Sequence, residues 1–195
     1  MQLIKKRIYL VTKIMDNQKM KIALDTLKFL NKNSWEEVKL EKIVKKSKHN
    51  LRSIKTKDDL LKNINRYFDY LLKKETIKLE KSTPKDMLFE VIMARFDILQ
   101  SYRKSFIKIY EFLRGRPHKS LIFIPSFLES MLLSANIAQL KVDGLRGRII
   151  LKGLFLVYIA IFFVWMGDET QSLEKTMTAL DTYLERANKI INKVL

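Results

Sequence analysis

Residues 45–57, KKSKHNLRSIKTK, gather the groups in this chain best able to do chemistry. Lys45, Lys46, Lys48, Arg52, Lys55 and Lys57 supply six cations, and the stretch contains no carboxylate. Ammonium and guanidinium groups hold phosphate oxygens, while His49 and Asn50 carry donors and acceptors suited to base edges. The chemistry on offer is the holding of a polyanion rather than the making of bonds. A solvated cationic turn between two helices would have the same composition.

Catalytic patterns are missing. The sequence has no Gly-rich phosphate loop, no His-Glu-x-x-His and no Gly-x-Ser-x-Gly. Its two histidines, His49 and His118, lie far apart and have no carboxylate at helical ligand spacing. Cysteine is absent, which removes thiolate zinc sites, disulfides and cysteine nucleophiles and fits a reducing cytoplasm. Asp168 and Glu169 follow Gly167 with no convergent partner for acid–base work, and are placed to favour the start of the last helix. We expect no enzyme, no metal and no cofactor.

The charge is lopsided. The whole chain of 195 residues carries +17. Residues 1–83 hold 22 Lys and Arg against 10 Asp and Glu, a balance of +12, and the remainder holds 16 against 11, a balance of +5. An excess confined to one part of a chain points to nucleic acid or an anionic membrane as partner.

Helices must position these groups. Gly (5) and Pro (3) are scarce and 47% of residues are hydrophobic, which favours an all-α fold with a real core. Residues 1–19 read as an N-terminal extension with a basic cluster and an apolar piece too short for a secretory signal. Apolar spacing predicts a helix over 21–32. A second helix is predicted from Ser34 as N-cap, with Trp35, Val38, Leu40, Ile43 and Val44 facing the first. A third, over 57–74, starts behind Thr56. Thr83-Pro84 opens a pair of helices broken near Gln100-Ser101, and Gly115-Arg116-Pro117 ends the second of them. Residues 118–140 form a further helix containing Pro125. Gly153–Met166 is the most apolar run, fourteen residues without a charge. That is short of the ~20 needed to span a membrane, so we expect it to be buried in protein, by its own chain or by a second copy. Residues 173–195 form the last helix. This pair, near 148–166 and 173–192, suits a homodimer built as a four-helix bundle.

The order of landmarks resembles a known family. Trp35-Glu-Glu-Val38-Lys-Leu40-Glu-Lys-Ile43-Val44, a basic turn and Lys57-Asp-Asp-Leu60-Leu61 look like the N-terminal module of TetR-type transcriptional regulators. Met87–Arg103, Gly144-Leu-Arg-Gly147 and the stretch from Trp165 to Asp181 look like segments of alphaproteobacterial TetR-type proteins. A related branch is the lipid-binding accessory protein of ubiquinone biosynthesis, which is TetR-like and does not bind DNA. The resemblance covers residues 20–190. It implies a helix-turn-helix module over 20–74 and a larger ligand-binding and dimerisation domain over 75–195. It also implies double-stranded DNA as partner, with the second helix of the motif in the major groove. The segment between the two landmarks is roughly four residues shorter than in the family and lacks its turn glycine. That shortening favours a rival reading, a TetR-like protein that carries a lipid or isoprenoid and docks to a membrane.

The same resemblance implies a small apolar effector. Phe89, Met93, Phe96, Phe106, Tyr110, Phe123, Phe127, Met131, Phe155 and Tyr158 would line its pocket, with Arg103 among the polar anchors beside Arg95 and Asp97. These residues equally suit a close-packed core.

Overall fold

The structure, a computed structural model, describes residues 16–47, 54–80 and 82–194. The described residues form eight α-helices and no strand. They are α1 (Asn17–Leu30), α2 (Leu40–Ser47), α3 (Lys57–Thr76), α4 (Pro84–Ser101), α5 (Arg103–Arg114), α6 (Pro117–Ile137), α7 (Gly144–Met166) and α8 (Glu174–Val194).

Local chemistry sets most of the helix starts. Asp16 caps α1, its carboxylate accepting from the Gln18 amide at 3.1 Å. The extension therefore gives up its last residues to α1, and Lys19 lends its carbonyl to Asn63 Nδ2 at 2.9 Å. Thr56 and Asp59 cap α3 reciprocally: the Asp59 amide donates to Thr56 Oγ1 at 3.1 Å, and Asp59 Oδ2 accepts from the Thr56 amide at 3.0 Å. Thr83 does the same for α4, with the Asp86 amide 3.2 Å from its hydroxyl oxygen.

The second helix starts later than its pattern predicts. Residues 35–39 form a turn, and α2 begins at Leu40. Lys57 Nζ donates to the carbonyls of Trp35 and Glu36 at 3.1 and 3.0 Å. Those carbonyls would serve as helix acceptors if the helix began at Trp35. Trp35 and Val38 are buried all the same, so their spacing reported burial and not helix.

The chain divides into two compact units. The first contains the described residues of Met1–Lys74 together with Ile98–Ser126; the second contains Glu75–Asp97 and the described residues of Phe127–Leu195. The sequence-based division at residue 74 thus misses that α5 and the first half of α6 belong with α1–α3. Packing explains the difference. Ser105 Oγ donates to the Leu27 carbonyl at 2.6 Å, Trp35 and Phe112 rings lie 5.9 Å apart, and Asn65 Nδ2 donates to Ser126 Oγ at 2.9 Å.

In the second unit α7 packs on α8. α7 is 23 residues long, starting nine residues before the run Gly153–Met166. By length and composition both α6 and α7 are sufficient to cross a membrane, so the length objection raised from the uncharged run falls away. Yet α7 buries Leu154, Val157, Tyr158, Ile161 and Trp165 in protein along one face. The motif Gly144-Leu-Arg-Gly147 has a backbone cause. Gly144 has φ +67, a left-handed conformation, and a Cβ on Gly147 would overlap the backbone of Val142.

Candidate nucleic-acid interface

The first unit is built around Leu27, Leu30, Trp35, Val38, Leu60, Ile64 and Phe68, all buried. This core fixes α2 and the start of α3 on α1, and the basic stretch runs between them. Lys45 and Lys46 belong to the last turn of α2. Lys48, His49, Asn50 and Arg52, the expected reading positions, lie outside the described residues. Ile54 is buried and anchors the return of the chain to α3. Lys55 is exposed, and its amide donates to Asp59 Oδ2 at 3.1 Å. The Lys57 ammonium, expected at a phosphate, sits on the two backbone carbonyls of the Trp35 turn.

The Thr56 hydroxyl holds the Asp59 carboxyl below its ordinary range; partial burial opposes this, and the Lys55 and Thr56 amides assist it. Two further ion pairs within this unit escaped sequence reasoning. Arg116 Nη1 lies 3.2 Å from Glu36 Oε1, and Lys119 Nζ lies 3.0 Å from Asp58 Oδ2. They tie the start of α6 to the Trp35 turn and to the start of α3. Partners 80 and 61 residues apart leave no periodic signal. Burial pushes the Tyr67 hydroxyl up, and its contact with the Tyr102 hydroxyl at 3.2 Å acts the same way.

The expected ligand-lining residues fall into both units. Phe89, Met93, Phe96, Phe127, Met131, Phe155 and Tyr158 belong to the second, and Arg103, Phe106, Tyr110 and Phe123 to the first. In the second unit Phe96 and Met131 are buried, and Phe96 stacks on Tyr158 with centroids 5.2 Å apart. The guanidinium of the buried Arg95 lies 5.7 Å from the centre of the Tyr158 ring. Phe89, Met93, Phe127 and Phe155 are half-buried. In the first unit Arg103 donates to Gln100 Oε1 at 3.1 Å, and Phe106 packs on Phe68 at 5.8 Å. An open depression of about 490 Å³ runs along α8, lined by Thr178, Ala179, Thr182 and Tyr183 among others, and it involves none of the eleven.

Asp168 anchors a polar constellation in the second unit. Its Oδ1 accepts from the Thr170 hydroxyl at 2.6 Å and the Thr170 amide at 3.1 Å. Its Oδ2 accepts from the Thr176 amide and hydroxyl, both at 2.8 Å. Burial pushes this carboxyl up, but the four hydrogen bonds outweigh it and hold the pKa down to about 2. The residue closes the connection between α7 and α8 and caps α8, as its position after Gly167 predicts.

An all-α chain with a basic helical module at its N-terminal end and a long apolar helix pair at the other has the TetR-like fold. Among solved structures it is similar to the TetR transcriptional regulator from Nitrosomonas europaea ATCC 19718, with a TM-score of 0.69. The two are 20% identical, and the likeness covers 89% of this chain and 99% of that one. The sequence matches no protein-family profile and no curated protein.

Proposed function

We propose that the protein is a cytoplasmic, homodimeric DNA-binding regulator of transcription, acting as a repressor. Two copies of the basic module sit on the half-sites of an operator, and an apolar effector in the larger part shifts the affinity. The observation that carries this reading is the likeness along almost the whole length of a TetR transcriptional regulator, joined to the +12 balance of residues 1–83. Lys45, Lys46, Lys48, Arg52 and Lys55 would hold phosphates, with His49 and Asn50 at base edges.

A specific observation favours a second reading, a lipid or isoprenoid carrier that has lost operator binding. α2 ends at Ser47 and α3 begins at Lys57, which leaves nine residues for both a turn and a recognition helix of about two turns. Gel shifts with the DNA upstream of its own coding sequence, at several salt concentrations, separate the two. Sequence preference that survives added salt supports the regulator. Uniform loss of binding with salt reveals charge alone and supports the carrier.

A further inference from the structure

Three segments far apart in the sequence close a ring in the first unit. Lys57, at the start of α3, holds the Trp35 and Glu36 carbonyls. Glu36 accepts from Arg116, at the corner between α5 and α6. Lys119, in the first turn of α6, returns to the start of α3, where its ammonium meets both oxygens of Asp58 at 3.3 and 3.0 Å. Each segment is thus held by the other two. A single exposed ion pair contributes little, but a closed set costs less to order, because the first contacts already fix the groups that make the last.

The α5–α6 corner is built as a support. The Arg116 amide and the Ser120 hydroxyl both donate to the Leu113 carbonyl, at 2.9 and 3.2 Å. The Arg116 guanidinium lies 4.3 Å from the centre of the Phe112 ring, and its Nη1 donates to the Phe112 carbonyl at 3.3 Å as well as to Glu36. Phe112 in turn packs on the fully buried Trp35. What the ring frames is the basic stretch. The helix that leads into residues 45–57 leaves the Trp35 turn at Leu40, and the residue that closes them is Lys57. Both ends therefore hang on the ring. Holding phosphates tolerates small displacements, because charge acts over several ångströms. Reading a base edge does not, since its hydrogen bonds are lost beyond about 3.5 Å and need a tightly held frame.

We propose that Arg116 and Lys119, which lie outside the helix-turn-helix module of residues 20–74, are positioning residues for base recognition. They touch no DNA; they fix the Trp35 turn and the start of α3, and so the two ends of the stretch that reads it. The inference rests on the regulator reading above and adds residues that give it sequence preference.

The test uses the full chain with Arg116→Gln and Lys119→Met together. Lys28→Met with Lys104→Met, two exposed cations outside the ring, is the charge-matched control. In hydrogen exchange without DNA, peptides covering 34–40 and 57–61 of the ring variant are expected to exchange about fivefold faster, the coupling of two exposed pairs, while those of α8 keep their rate. In gel shifts, its affinity for the upstream DNA relative to a shuffled duplex of the same length is expected to fall about fivefold, with the slope of log affinity against log salt unchanged. The control keeps that ratio. Unchanged exchange, exchange that speeds equally in α8, or a ratio kept by the ring variant or lost by the control overturns the positioning role and leaves the regulator standing. A salt slope lowered by about 1 or 2 means that Arg116 and Lys119 touch phosphates themselves, and overturns it too. A wild type without preference for either duplex overturns the regulator reading and this role with it.

Discussion

Replacing Asp168 is the sharpest test of how the long helix pair is held. Asp168→Ala removes the acceptor of four hydrogen bonds and leaves the Thr176 amide and hydroxyl buried. Hydrogen bonds to charged groups contribute about 1.5–3 kcal/mol each and do not add fully, so a loss of about 3–4 kcal/mol is expected. The pH dependence isolates the charge. The carboxyl has an ordinary value of 3.8 and a folded value of about 2. A lowered folded value means stability that is fully present above the ordinary value and lost as pH falls toward the folded one. The difference corresponds to about 2.4 kcal/mol, of which about half is gone by about pH 3. Asp168→Asn keeps the shape, cannot titrate and points N–H groups at donors. Urea unfolding of chains carrying Trp35→Phe, followed by far-ultraviolet circular dichroism and by the fluorescence of Trp165, should show a gap between the Asp168 chain and Asp168→Asn. That gap should narrow by about 1 kcal/mol between about pH 6 and about pH 3. A gap that stays constant across this range, or an Asn variant as stable as wild type, would refute the charge argument.

Three other experiments test separate parts of the structure. Gly147→Ala forces a Cβ into the Val142 backbone and should cost about 2–4 kcal/mol in thermal unfolding, while the exposed Arg148→Ala should change little. In a DNA titration, Lys45→Ala and Lys46→Ala should each lower the slope of log affinity against log salt by about 1 if each contacts a phosphate. A double-mutant cycle on Asp58 and Lys119, whose side chains are 26% and 34% exposed, should give a coupling of about 0.5–1 kcal/mol that fades with added salt.

The helix starts were legible where a single residue decides them. Thr56 and Thr83 cap in place because a side-chain oxygen within three residues of an orphan amide is a local relation, and Asp168 reaches the Thr176 amide eight residues on. The start of α2 was not legible, because the carbonyls that would continue the helix through Trp35 are held by Lys57, 22 residues away. Met177 stands at helical spacing with Leu173, Leu180 and Leu184, yet it is 42% exposed, while Thr176, bound to Asp168, is the buried neighbour. The aromatic residues taken as one pocket fall into two units because apolar content reports burial and not the company a residue keeps. For the basic stretch, spacing locates six cations between two landmarks, but chain geometry decides which ones point outward. Lys57 shows how a cation that counts toward the charge excess can be committed to its own backbone.

The same limit explains why α7 was both the clearest and the most ambiguous element. A helix apolar all round gives no hydropathy contrast from which to infer an orientation, so composition alone admits a buried core helix, a membrane span or a seam. Burial supplies the missing contrast, because Leu154, Val157, Ile161 and Trp165 are buried while Leu145, Ile149, Leu156 and Phe163 are exposed. Once the faces are separated, the outward set shows a heptad order that the inward set, mixed with it in the sequence, had hidden. A lipid-facing surface gains nothing from such order, since hydrocarbon has no register to match. A second helix does, because side chains that recur every three and four residues seat in the holes of a facing helix.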